Sequence, residues 1–277
     1  MKRIVAPFDK TNAAMGVDVS HHNGIVDWKA VRDAGAKFAY IRAADGVIHD
    51  QLVETNIEAA LYFGLEVGLY HYVRFARHTE QFNWVCNLYN TYRDMHLPPA
   101  IDVEYPSFDS LNHLGGAKFR VDTGRVDFVM SEAAGKLLDA TGTLAVYGGA
   151  AIQWKLLGTH TTKGTRCLLL DDNVFYWCGG TIGEENPRMP IFNGKPALNK
   201  VDIWQSSQAT IGGTTFDVNL ADRESYGRML NLPEPDKFDA EAAISRLQDR
   251  LVDIGNQINS IYVDLELVIT ELENPAS

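Results

Sequence analysis

Two carboxylates stand two residues apart, Asp102 and Glu104, behind an apolar lead of Pro98-Pro99-Ala100-Ile101. Residues two apart on a strand point to the same face, about 6.5–7 Å apart along the chain, so this run predicts both acids in one cavity. Each raises the pKa of the other, and one of the two keeps its proton near neutral pH. Cleavage of a glycosidic bond needs such a pair: an acid for the leaving oxygen, and a carboxylate to stabilise or trap positive charge at the anomeric carbon. Asp18, behind Gly16-Val17, and Asp217, near the last strand-like run, are two further acids expected at the same mouth. Several converging acids also suit a divalent cation. No His cluster accompanies them, and His21-His22, His71 and His78 read as loop or substrate-contact residues, so neither metal nor cofactor is expected.

Something must carry these acids to one place. Between Gly16 and about Leu220 the chain alternates short apolar, β-branched runs with helical stretches, the pattern of successive βα units around a parallel sheet. Eight strands are predicted: Gly16–Ser20, Lys37–Ala43, Glu66–Tyr72, Ala100–Glu104, Thr143–Tyr147, Arg166–Leu170, Val201–Gln205 and, weakly, Thr214–Val218. Spacing of the 3.6-residue type predicts helices over Asp27–Ala34, Gln51–Phe63, Glu80–Tyr92 and Val126–Ala140. The fold class expected is α/β, an irregular (β/α) TIM-like barrel. Polar or aromatic side chains fall at the ends of most of these strands, namely Asp18, Arg42, Tyr70, Tyr72, Asp102, Glu104, Tyr147, Gln205 and Asp217. A barrel gathers such ends around one mouth. Residues 105–124 are expected to form an additional lip over it.

The composition changes at Pro233-Glu234-Pro235-Asp236, a linker that cannot continue a helix. Beyond it Ile244, Leu247, Leu251, Ile254, Ile258, Ile261, Leu265, Val268 and Leu272 alternate spacings of three and four, an a/d seam of about four heptads. The organisation expected is therefore an N-terminal extension over 1–15, a barrel over 16–232, and a linker with a coiled-coil helix over 233–277 that makes a homo-oligomer. Seven of the eleven net negative charges belong to this last segment, so the net charge says little about the cavity. It does exclude a nucleic-acid footprint, which needs clustered Lys and Arg. Three cysteines, Cys86, Cys167 and Cys178, form no metal-binding pattern and are expected as thiols in a reducing compartment. No apolar run predicts a signal peptide or membrane insertion.

Ordered blocks of the chain resemble the glycoside hydrolase family 25 lysozymes. They are Gly16-Val17-Asp18-Val19-Ser20 with Asn23-Gly24 and Asp27-Trp28, then Gly35 to Ala43, Asp50 and Asn56 before Gly64 to Tyr72, Pro98 to Glu104, Val146-Tyr147, Trp204-Gln205 and Asp217-Val218-Asn219. The resemblance, over about residues 16–221, implies an enzyme that cuts peptidoglycan glycan strands between N-acetylmuramic acid and N-acetylglucosamine, without metal. It implies Glu104 as general acid and Asp102 as the group that orients the 2-acetamido substituent. Asp18 and Asp217 complete an acidic floor, and Tyr70, Tyr72, Tyr147, Arg42 and Gln205 take subsite or supporting positions. With no signal peptide, a bacteriophage endolysin held in the host bacterial cytoplasm until its release to the wall is expected. A glycosidase acting on another acetamido-sugar polymer, and a non-catalytic wall-binding or virion protein, remain open alternatives.

Overall fold

The computed structural model describes residues 8–74, 79–104, 129, 132, 135–149, 173–179, 183–187, 191–192, 195–196 and 201–231. The heptad segment lies outside these residues, as do the predicted strand Arg166–Leu170, the expected lip at 105–124, Cys167 and His78. Contacts divide the chain into Met1–Leu232 and Pro233–Ser277.

In the first unit, β1 (Ala14–Val19) leads through a 3-10 turn (His21–Asn23) to α1 (Trp28–Asp33), followed by β2 (Phe38–Asp45), β3 (Ile48–His49) and α2 (Val53–Tyr62). Then come β4 (Glu66–Tyr72), a 3-10 turn (Thr79–Phe82), α3 (Asn83–Thr91), β5 (Ala100–Asp102), helical residues at 135–141, and β6 (Leu144–Gly149). After β7 (Val174–Gly179), β8 (Ile191–Phe192) and β9 (Lys195–Pro196) form a small antiparallel ribbon. The chain then continues through β10 (Ile203–Ile211), β11 (Thr214–Ala221) and α4 (Arg223–Met229). Helix starts follow local chemistry. Asp27 caps α1 by accepting from the Ala30 N–H at 2.9 Å, and Asp222 caps α4 by accepting from the Ser225 N–H at 3.2 Å.

Eight strands close into a barrel in the order β1-β2-β4-β5-β6-β7-β10-β11, with β11 returning to β1 and β3 attached outside along β2. The α/β barrel expected from the sequence is present, with two corrections. The last strand is antiparallel to both its neighbours, β10 and β1, whereas the other barrel pairings are parallel. Gly212 and Gly213 both take positive φ, 57° and 85°, and two such residues make a hairpin turn too short for a helical crossover. The second correction concerns the sixth barrel position, which Val174–Gly179 fills in parallel with β6 and β10, in place of the expected Arg166–Leu170. Val174-Phe175-Tyr176-Trp177-Cys178 is buried throughout, and aromatic and β-branched residues suit a strand covered on both faces better than a leucine run does.

Alternation sorts each strand into an outward and an inward set. Outward residues such as Val17, Ala39, Ile41, Val67, Leu69, Ile101 and Val146 pack under Trp28 and Val31 of α1, Val53 and Ile57 of α2, and Val85 and Leu88 of α3. Inward residues Phe38, Tyr40, Ala100, Ala145, Phe175, Trp177, Ile203 and Ala221 fill the barrel interior, with Leu97 and Met229 beside them. Large and small side chains face one another across this interior. A Cβ on Gly16 would lie 2.4 Å from the Phe38 ring, and one on Gly68 would lie 2.7 Å from Tyr40 and 2.9 Å from the Leu97 Cβ. Tyr40 in turn packs on Trp177 with ring centroids 4.6 Å apart. This aromatic layer is the floor on which the polar ends of the strands rest.

Gly16→Ala therefore overpacks a rigid ring and is expected to lower the unfolding free energy by about 1–3 kcal/mol in a urea titration. Adding Phe38→Leu should recover part of that loss. An unchanged urea midpoint for the single variant would show that the interior is not close-packed there.

Candidate active site

A cavity of about 350 Å³ opens where the parallel strands end. Its walls include Asp18, Ser20, His22 and Asn23 from β1 and the turn after it, Arg42 from β2, Tyr70 and Tyr72 from β4, and Asp102 and Glu104 from β5 and its exit. Tyr147 of β6, Trp177 of β7, Gln205 and Gln208 of β10, and Thr215, Phe216 and Asp217 of β11 complete it. All nine residues singled out from the sequence, Asp18, Arg42, Tyr70, Tyr72, Asp102, Glu104, Tyr147, Gln205 and Asp217, thus line one cavity. Glu104 lies just past the strand, because β5 ends at Asp102. Asp217 arrives by the reversed direction of β11. It sits early in its strand and pairs with Asp18, which sits late in its own.

Hydrogen bonds knit the floor across strands. Asp18 Oδ2 accepts from Asn219 Nδ2 at 2.7 Å and from Gln205 Nε2 at 3.1 Å, and Tyr147 donates its hydroxyl to Gln205 Oε1 at 2.9 Å. The Trp177 indole donates to Asn219 Oδ1 at 2.9 Å, which fixes the amide so that its nitrogen faces Asp18. Asp217 accepts from Gln208 at 2.8 Å and, more weakly, from Gln205 at 3.4 Å. Gln208 reaches the cavity through a β-bulge between Gln205 and Ser207, which adds one residue to β10 and returns the third residue after Gln205 to the inward face.

Electrostatics separate the acids. Burial, with Asp217 and Glu104 nearby, pushes Asp18 up to about 7 against the pull of its two amide donors. Asp102 is raised well above the usual carboxylate range, chiefly by burial and then by Glu104 and Asp18. Its Oδ1 is buried with no hydrogen-bond partner among the described residues, a position that suits the protonated, uncharged form. Glu104 is more open to solvent and is raised less, since Arg74 opposes the effects of burial and of Asp217. Asp50 behaves oppositely. Burial raises it, but the His21 and Leu52 backbone N–H groups, the His21 ring and Arg42 outweigh burial and hold it below its usual value. Arg42 spends its Nε–H on Asp50 at 3.0 Å, so it supports the wall of the cavity as well as lining it.

Two neighbouring acids both held above the usual carboxylate range, with tyrosine and tryptophan walls, can protonate a leaving oxygen and hold a sugar face. The sequence model of the family described as "Glycosyl hydrolases family 25" matches residues 17–136, which carry Asp18, Arg42, Tyr70, Tyr72, Asp102 and Glu104. Over those residues the chain is similar to glycoside hydrolase family 25. Lysozyme M1 of Streptomyces globisporus is 38% identical over 74 residues, 26% of this chain and 25% of that protein. The autolytic lysozyme of Clostridium acetobutylicum is 30% identical over 102 residues, 36% of this chain and 31% of that one. The chain therefore matches about a quarter to a third of the length of these relatives. The crystal structure of the bacterial lysozyme from Streptomyces coelicolor shares the fold, with a TM-score of 0.61 at 23% identity over 80% of this chain and 97% of that one.

Trp177 and Gln208, which line the cavity, and Asn219, which donates to Asp18 in its floor, were not selected from the sequence as site residues. Trp177 went unselected because its strand was placed too early in the chain. Gln208 depends on the bulge, which no sequence pattern announces. Asn219 was visible as the inward partner two residues beyond Asp217, and the alternation of β11 alone could have found it. Among the described residues no group of three or more His, Cys, Asp or Glu is placed to hold a metal ion, and no helix is long and apolar enough to cross a membrane.

A raised carboxyl pKa has a definite linkage sign. The folded barrel binds the Asp18 proton more tightly than the unfolded chain does. Its stabilising contribution is therefore fully present below about pH 4 and is lost as pH rises through about 7. Asp18→Asn should gain stability over wild type at pH 8 relative to pH 4, on the order of 1–3 kcal/mol. Thermal melts at both pH values check this, and an identical difference at the two would contradict it.

Proposed function

We propose that this barrel is a muramidase that hydrolyses the β-1,4 bond between N-acetylmuramic acid and N-acetylglucosamine in peptidoglycan. The observation that carries the reading is the convergence of Asp102 and Glu104, at one strand exit, with Asp18 and Asp217 on a single cavity. Glu104, raised yet accessible, is the general acid that gives its proton to the leaving oxygen. Asp102, deep in the floor, orients the 2-acetamido group. An acetamido N–H arriving beside its carboxyl supplies the hydrogen bond that the buried Oδ1 lacks. Asp18 and Asp217 complete the acidic floor around the reacting sugar, and Asn219, Gln205 and Gln208 fix their orientation. Tyr70, Tyr72, Tyr147 and Trp177 provide faces for sugar rings.

We further propose that the heptad seam from Ile244 to Leu272 joins copies of the chain into a homo-oligomer. The unbroken alternation of three- and four-residue spacings supports it. Several weak glycan sites held together gain effective concentration on a repetitive wall.

Digestion of purified peptidoglycan, borohydride reduction and mass spectrometry of the new ends test the activity. Reduced muramic acid ends that fall by at least about 100-fold in Glu104→Gln are expected. Reduced glucosamine ends would indicate another acetamido-sugar hydrolase, and no new ends would indicate a wall-binding protein. Truncation after Leu232 is expected to leave a monomer by light scattering, with weaker lysis of whole cells at unchanged activity on soluble fragments. A full-length chain that is already monomeric would refute the assembly.

A further inference from the structure

Asp45 and Arg74 stand at the mouth beside the residues described so far, and neither is assigned a part in the reaction above. The Arg74 guanidinium is gripped by Asp45 through two parallel bonds, Nε–H to Oδ1 at 2.5 Å and Nη2–H to Oδ2 at 2.7 Å. Both side chains are largely buried. The guanidinium also lies over the Tyr72 ring, with Cζ 4.5 Å from its centroid. The backbone is held as firmly. The Arg74 N–H donates to Gln81 Oε1 at 3.1 Å, Gln81 Nε2 donates back to the Arg74 carbonyl at 3.3 Å, and Gln81 Oε1 also meets His71 Nε2 at 3.1 Å. Asp45 reaches this place because a bulge in β2 between Arg42 and Ala44 brings it opposite Tyr72.

Register then sets Arg74 beside Glu104. Tyr72 pairs with Asp102 on adjacent parallel strands, and the Val73 N–H continues the ladder to the Asp102 carbonyl at 3.0 Å. Arg74 and Glu104 each follow two residues later, just past the ends of strands that lie about 4.8 Å apart. We propose that Asp45 and Arg74 form a fixed charge clamp that positions a guanidinium beside Glu104 and tunes it as a proton donor. This rests on the reading of Glu104 as general acid.

The other groups facing Glu104 are Asp102 at the end of β5, Asp18 on β1, Tyr147 on β6 and Asp217 on β11; Asp217 opposes the ionisation of Glu104, while Glu104 itself raises Asp102 and Asp18. Arg42 is turned to Asp50 instead. Arg74 supplies the opposing positive charge. Asp45 both holds that charge in place and offsets part of it. The two members of the clamp therefore act on Glu104 with opposite sign, an outcome that a merely structural ion pair does not give.

The test is a carbon-13 NMR titration of carboxyl-labelled glutamate in the full chain, with the Glu104 signal assigned by its absence in Glu104→Gln. Arg74→Met should raise the Glu104 midpoint by about one pH unit, and Asp45→Asn should lower it by a smaller amount. Arg74→Lys, which keeps the charge and loses the fork, should stay close to wild type. The alkaline limb of kcat/KM on peptidoglycan should move with the midpoint in each variant. Midpoints that stay fixed, or that move in the same direction in Arg74→Met and Asp45→Asn, would overturn the clamp. Hydrolysis that survives in Glu104→Gln would instead overturn the role of Glu104 and leave the titration result standing.

Discussion

Asp18 accepts hydrogen bonds from Asn219 and Gln205, and these bonds tie the first strand to the last two at the level where the acids meet. Backbone closure happens at the same place, since β11 pairs with β1 on one side and β10 on the other. Hydrogen bonds to a charged or partly charged carboxyl contribute about 1.5–3 kcal/mol each. A barrel that opened at this seam would therefore lose its floor and its closure together. Asp217 depends on the seam as well, because only the reversed strand carries it to the side of the cavity opposite Glu104. The Gly212-Gly213 turn that allows the reversal packs onto the start of α1, where a Cβ on Gly212 would come 3.0 Å from the Asp27 Cβ.

Four carboxyls around about 350 Å³ repel one another and resist burial. The protein resolves this by leaving some of them protonated. Asp102 and Asp18 hold protons that an exposed aspartate would have lost, and folding is weakened at higher pH as a result. Asp50, at the same end of the barrel, shows the alternative. Two backbone N–H groups, an imidazole and a guanidinium surround it, and it stays charged. Donor supply separates a structural aspartate from one poised for chemistry, while residue type and burial are shared. The same trade of stability for function is common where charged groups are gathered at a site.

Much of this was legible in the chain. Short apolar runs at Phe38–Asp45, Glu66–Tyr72 and Leu144–Gly149 announce strands, and the inward parity that puts Tyr40 and Ala145 in the core also puts Arg42 and Tyr147 at the mouth. Position at a strand end was enough to select Asp18, Asp102 and Glu104. What escaped was whatever a simple period of two does not encode. The strand at Val174–Gly179 is apolar on both faces and carries no alternation to distinguish it from the leucine run just before it. The direction of β11 is set by two glycines whose significance lies in their φ values, and Asp45 and Arg74 are joined only by contacts between residues 29 apart.

The two bulges explain why the misses cluster at the mouth. Below it, inward residues must be apolar and must interdigitate, so a one-residue slip would put a polar or outward residue into the close-packed layer of Phe38, Tyr40 and Trp177. At the rim that penalty vanishes, because the inward face meets solvent and polar partners. An inserted residue there costs one ladder bond and changes which side chain faces in. β2 uses its bulge to turn Asp45 toward Arg74, and β10 uses its own to turn Gln208 toward Asp217. In both strands the regular part is held to the core pattern, and the slip comes only after the last residue of the barrel interior, Tyr40 in β2 and Ile203 in β10, has been placed. The chemistry at the rim can therefore vary by single insertions while the barrel beneath it keeps one register.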